Sequence, residues 1–316
     1  MKKLTLALSA IAAAFSATAS ADVSVSGSAS ATYVSDAATS DNTSLIVGSN
    51  VAFAMSTTTA GGVGISASLA ANLTPDTDVT AGSVSGGNSV TFTTGGATIT
   101  VGDVELNDTP GSVGGAVGGI VGDNSALVSS VGGGMVDDDG TGLKFSTAVG
   151  ASTLSLGYIS NDSDNNNGVL NEDGQDSVMS ASIAMPMGAY TITVAMADSD
   201  TGESSTGATV SAALGGGTVV VGYSTQETIT ANTKITTAGD TQVLGATYAM
   251  SLDADTSVKV GYQSKKDADS DSTTRVDASI SRSLGGGASV YLDMRSLSGD
   301  ATTDGTAIGF GTSVSF

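Results

Sequence analysis

Eight ionisable residues are spaced to act on charge rather than on covalent bonds. Four are basic: Lys144, Lys259, Arg275 and Arg295. Apolar residues stand at odd offsets from them, at Leu143 and Phe145, Val258 and Val260, Val276 and Ile280, and Leu292 and Met294. Neighbours in an extended chain point to opposite faces, so all four basic side chains fall on the polar face. Four are acidic: Asp103, Glu105, Asp108 and Asp123 lie in or beside a Gly/Ala/Val-rich stretch at 104–140, which also holds Asp137–Asp139. Fixed charges of this kind act on ions through electrostatics. Covalent catalysis has far less support. The chain has no His and no Cys, so the commonest general base and the thiolate nucleophile are both missing. Ser and Asp are plentiful, but a hydroxyl without an activating base is only a polar group. The glycine run at 114–119 lacks the lysine of a phosphate-binding loop. We therefore expect no enzyme, no catalytic residue and no cofactor.

One stretch resembles a metal loop. Residues 162–173, DSDNNNGVLNED, are rich in oxygen donors. An EF-hand loop needs glycine sixth and a bidentate Glu twelfth; here glycine is seventh and Glu172 eleventh. The spacing favours an acidic surface loop and no metal site, with a loosely held divalent cation left open.

The elements that must position these charges are strands. Val23, Val25, Gly27, Ala29, Ala31 and Tyr33 alternate with Ser24, Ser26, Ser28, Ser30 and Thr32. A period of two places each set on its own face. The pattern recurs to Ile308, Phe310, Val314 and Phe316, and we read sixteen segments: 22–35, 43–56, 62–73, 87–94, 97–103, 141–149, 151–160, 175–185, 188–198, 204–214, 217–226, 240–250, 254–264, 273–284, 287–297 and 304–316. Short turns at Gly95-Gly96, near Gly150, at Pro186-Met187-Gly188, Gly215–Gly217 and Gly285–Gly287 alternate with longer polar loops. Glycine suits such hairpins because it tolerates positive φ. The stretch 104–140 is much the longest connection, and a loop of that length usually carries function.

An even strand count with short turns at one end and long loops at the other describes a membrane-spanning barrel. A two-sheet sandwich would need bulky inner faces to fill its core. Here the apolar face is light and the polar face small, which suits lipid outside and water inside. Arg282 shares the parity of Val276 and Ile280, so it belongs outside, snorkelling at an interface.

Lys2-Lys3, the apolar run 4–15 and Ala19-Ser20-Ala21 have the form of a secretory signal peptide, 1–21, removed from a single domain at 22–316. Removal takes Lys2 and Lys3, leaving eight basic residues against 31 acidic ones. Such acidity argues against nucleic-acid binding, which relies on Lys/Arg clusters.

At DVSVSGSASATYVSD (22–36), ATITVGDVELNDTPGSVGG (97–115), TGLKFSTAVGASTLSLGYIS (141–160) and GTAIGFGTSVSF (305–316), the chain resembles the sixteen-stranded general diffusion porins of Gram-negative outer membranes, closest to the alphaproteobacterial branch. The resemblance implies an all-β, sixteen-stranded antiparallel transmembrane β-barrel whose third loop, 104–140, folds into the lumen. It implies a water-filled channel for passive diffusion of ions and small hydrophilic solutes, in a homotrimer embedded in outer-membrane lipid. It also implies a constriction that sets Asp103, Glu105, Asp108 and Asp123 against Lys144, Lys259, Arg275 and Arg295. Phe316 would be read by the barrel-assembly machinery. The scarce arginines and aromatics depart from the family pattern. The competing class is a non-conducting structural or adhesin-like barrel with ligand-binding outer loops; the lack of a fixed-period repeat counts against a solenoid adhesin.

Overall fold

In the computed structural model, the described residues are 22–36, 42–73, 89–105, 139–161, 177–199, 204–228, 239–266, 272–299 and 304–316. The leader at 1–21, Asp108, Asp123 and the metal-like stretch 162–173 lie outside them, as do residues 106–138 of the long connection.

Sixteen strands form one closed antiparallel barrel. In chain order they are β1 (Asp22–Asp36), β2 (Asn42–Thr58), β3 (Gly64–Leu73), β4 (Ser89–Thr94), β5 (Ala97–Glu105), β6 (Asp139–Val149), β7 (Ser152–Asn161) and β8 (Val178–Met187), then β9 (Tyr190–Ser199), β10 (Ser204–Leu214), β11 (Gly217–Thr228), β12 (Gly239–Ser251), β13 (Thr256–Lys266), β14 (Ser272–Gly285), β15 (Ala288–Gly299) and β16 (Gly305–Ser315). Each pairs with its sequence neighbours, and β1 pairs with β16. Closure leaves no strand edge for lipid to desolvate.

The outer face carries exposed Leu45, Phe53, Leu156, Met196, Leu244 and Phe310, spread round the barrel. A water-soluble monomer does not expose apolar surface on this scale, whereas lipid covers it without cost. The period of two thus separates lipid from lumen, as the sequence predicts.

Tight turns close one end. At Gly95-Gly96, φ is +56° and +82°, and Gly215-Gly216 has +56° and +85°. Positive φ at both central residues marks the two-residue hairpin turn whose twist matches the strands. One turn differs from expectation: Pro186 and Met187 belong to β8, and the reversal falls at Gly188-Ala189, closed by the Met187–Tyr190 pair. Gly188 supplies the required φ of +66° there, which proline cannot adopt.

The closing seam is tied on both faces. Gly27 and Phe316 exchange backbone hydrogen bonds of 2.9 and 3.0 Å. The Phe316 ring occupies the space that a side chain at Gly27 would need. On the inner face Tyr291 of β15 lies across Gly311 of β16, and its hydroxyl meets Thr32 Oγ1 of β1 at 2.6 Å. One aromatic side chain therefore spans three strands, and only glycine at 311 leaves room for it.

Candidate functional site

The charged wall is built from β14 and β15. Alternation places Thr273, Arg275, Asp277 and Ser279 on the inner face of β14, and Tyr291, Asp293, Arg295 and Leu297 on that of β15. Their outward neighbours Val276, Ile280, Leu292 and Met294 are exposed on the lipid side. Register then sets Asp277 opposite Arg295, Arg275 opposite Leu297 and Ser279 opposite Asp293.

Asp277 is ion-paired with both guanidinium groups and accepts a hydrogen bond from Arg275. Arg275 Nε donates to Asp277 Oδ1 at 2.9 Å and stands 2.7 Å from Oδ2, and Arg295 Nε lies 3.4 Å from Oδ1. All four charged residues are shut from solvent, with exposures of 3% for Arg275, 1% for Asp277, 0% for Asp293 and 1% for Arg295. The carboxylate oxygens of Asp293 have no hydrogen-bonding partner in good geometry among the described residues, and its charge interacts with Asp277 and Arg295. Two positive and two negative groups leave this wall patch formally neutral. Its chemistry is electrostatic: fixed, opposed charges facing one another across two strands.

The other basic residues stand apart. Lys144, on the inner face of β6, faces Thr100 and Gly157 across its two ladders. β6 and β14 are eight strands apart in a ring of sixteen, so Lys144 and Arg275 occupy opposite walls. Lys259, on the inner face of β13, faces Ala249 and Ser279, nearer the turn end. The four bases form one adjacent pair and two separate positions. Asp103 and Glu105 pair through their backbones with Thr141 and Asp139 at the loop end of β5. Arg282 reaches the turn after β12: its Nη1 donates to Thr256 Oγ1 at 2.6 Å and to Asp253 Oδ2 at 3.4 Å. Among the described residues, no three His, Cys, Asp or Glu side chains gather as a metal site.

Sequence reasoning missed Asp277 and Asp293. The signal was present in the mirrored triplets Arg275-Val276-Asp277 and Asp293-Met294-Arg295, where acid and base share a face. It also missed an inward apolar patch of Val104, Ile159, Val178 and Ala197, buried on β5 and β7–β9 although it faces the barrel interior. Those side chains are small or β-branched and read as ordinary strand residues.

A closed barrel with a lipid-facing apolar band and charges on its inner wall is a transmembrane barrel of the outer-membrane type. A family model described as Gram-negative porin matches residues 7–302, and the chain belongs to that family. The protein is therefore an outer-membrane porin. No curated protein matches it by sequence. Among solved structures, the loop L8 deletion mutant of Vibrio cholerae OmpT is similar at a TM-score of 0.72 and 12% identity, covering 94% of this chain and 99% of that one. The anion-selective porin of Comamonas acidovorans gives 0.67 and 13%, covering 94% and 100%. Salmonella typhi OmpF in complex with daunomycin gives 0.68 and 12%, covering 93% and 97%. At these identities the likeness is one of fold.

Proposed function

We propose that the barrel is a non-enzymatic, water-filled channel for passive diffusion of ions and small hydrophilic solutes. The observation that carries this reading is the charged inner wall of β14 and β15, because a barrel that only anchors loops has no use for a salt-bridge network facing its axis. Residues 104–140 narrow the passage in this reading. The buried inward patch of Val104, Ile159, Val178 and Ala197 supports it, since apolar side chains would otherwise face water. Asp108 and Asp123 on that connection would oppose Arg275, Arg295 and Lys144 on the walls, while Asp103 and Glu105, out of step with inward Val104, would add charge at the loop-end mouth.

The reading extends to assembly. A homotrimer fits the family, and the Vibrio cholerae OmpT relative is described in a trimer form. In this reading the barrel-assembly machinery recognises Phe316, which is 77% exposed at the end of the closing strand.

Stepwise conductance of purified protein in planar bilayers tests the channel. Intact barrel circular dichroism without conductance would favour the non-conducting structural barrel. For selectivity we expect a weak cation preference. Twelve acids and no bases lie between Asp22 and Leu143, while Asp277 and Asp293 offset the wall arginines. Summed charge steers ions at a mouth, although salt screens it over roughly 8 Å. Reversal potentials in a salt gradient should show cation preference rising in R275Q/R295Q and falling in D103N/E105Q/D108N. An anion-selective wild type would reject the assignment.

A further inference from the structure

We infer that Lys259 and the recess around it form a wall subsite for oxyanions, the carboxylate or phosphate group of a passing solute, at the turn end of the barrel. A cavity of about 670 Å³ lies against β10–β13, lined on its inner side by Ala213, Thr218, Ala249, Ser251, Ser257 and Lys259. Register explains the recess. Ala213 pairs with Thr218, Thr218 with Ala249, and Ala249 with Lys259, so one inner row crosses four strands with nothing larger than threonine before the lysine. The next partner along the row is Ser279.

Among the described residues, Lys259 is the one charged residue lining the cavity. Its ammonium makes no ion pair or hydrogen bond with any described residue. Arg275 and Arg295 differ, because both are held by Asp277. An ammonium brings three donors and no acceptor, and the hydroxyls of Thr218, Ser251 and Ser257 add donors around the same hollow. A group of donors with a single positive charge suits a small oxyanion. Asp293 lies two strands further along the row, roughly 9–10 Å away by strand spacing, with Ser279 between. That distance leaves the ammonium uncompensated at contact range.

The channel reading enters only as the solute's route; binding is tested without it. Folded full-length protein in detergent micelles, with its lysines reductively methylated with ¹³C, is titrated with inorganic phosphate at constant ionic strength. K259R assigns the Lys259 signal by removing it. We expect that signal to shift saturably with phosphate and with acetate, while chloride moves it no more than the other lysine signals. A249L fills the recess and keeps the lysine, and should weaken binding about tenfold or more. A Lys259 signal that moves only in step with the others, or unchanged binding in A249L, overturns the subsite. In bilayers, phosphate added at the turn side should reduce current at lower concentration than at the loop side, and K259Q should abolish that asymmetry. A conducting barrel with neither shift nor block refutes the subsite and leaves the channel. A saturable shift in a barrel that does not conduct supports the subsite and refutes the channel.

Discussion

The wall from β13 through β16 to β1 and the wall from β3 to β5 are made of the same small residues and behave as different materials. In the first, strands of eleven to fifteen residues pair over long ladders, and β14 and β15 add a buried salt-bridge network. In the second, the described part of β4 is Ser89–Thr94. Among the described residues it meets β3 at Gly64–Ala67. No described basic residue lies on β3, β4 or β5. The difference teaches that cohesion and compensated charge are concentrated on one wall. Among the described residues, the β3–β5 wall is joined to itself by a shorter ladder.

The sharpest way to break this contrast is Asp277→Ala. Removing the shared acceptor leaves the buried Arg275 guanidinium without its acid and Arg295 with Asp293 alone, and breaking a buried pair in this way costs about 3–5 kcal/mol. The loss should appear as a lower urea midpoint in micelles, whereas alanine substitutions at exposed positions of β4 should change it little.

Gly311→Val attacks the seam beside that wall. The new side chain displaces the Tyr291 ring and parts its hydroxyl from Thr32, at a cost of about 1–3 kcal/mol for overpacking. Tyr291→Phe keeps the ring and loses only the hydrogen bond, about 1 kcal/mol. Thermal unfolding should rank wild type above Y291F and Y291F above G311V.

Hydrogen exchange sharpens the comparison without mutation. Amides at the β3–β4 ladder, Gly64–Ala67, should exchange before those of β15 and β16, since local opening follows the number of ladder bonds broken together. Equal protection on both walls would refute the contrast.

The smallest effect lies at the turn between β12 and β13. The N–H of Asp255 donates to Asp253 Oδ1 at 2.8 Å, as does that of Thr256 at 2.8 Å. The first of these, with help from Arg282, holds the Asp253 carboxyl below the usual carboxylate range. A depressed folded value stabilises above the unfolded pKa of about 3.9 and is lost as pH falls through the folded one. The stability gap between wild type and D253A should therefore be constant from neutrality to about pH 5 and close below about pH 4. Acid titration of both proteins checks this.

Much of this molecule was legible in the chain. Face parity is local, so Val276 and Leu292 outside with Arg275 and Arg295 inside follow from alternation alone. Turn chemistry is local too, and Gly95-Gly96 and Gly215-Gly216 marked their reversals because few other residues adopt positive φ. Only the tertiary structure decided which charges meet. Parity assigns Asp277 and Arg295 to one face, but a shift of one pairing step would separate them, and register depends on every ladder closing together. Ring closure sent Lys144 to the far wall, put Thr32 within reach of Tyr291 across Gly311, and left Lys259 without a partner among the described residues in a recess of small side chains. Those outcomes arise between residues far apart in sequence, where a period of two carries no information.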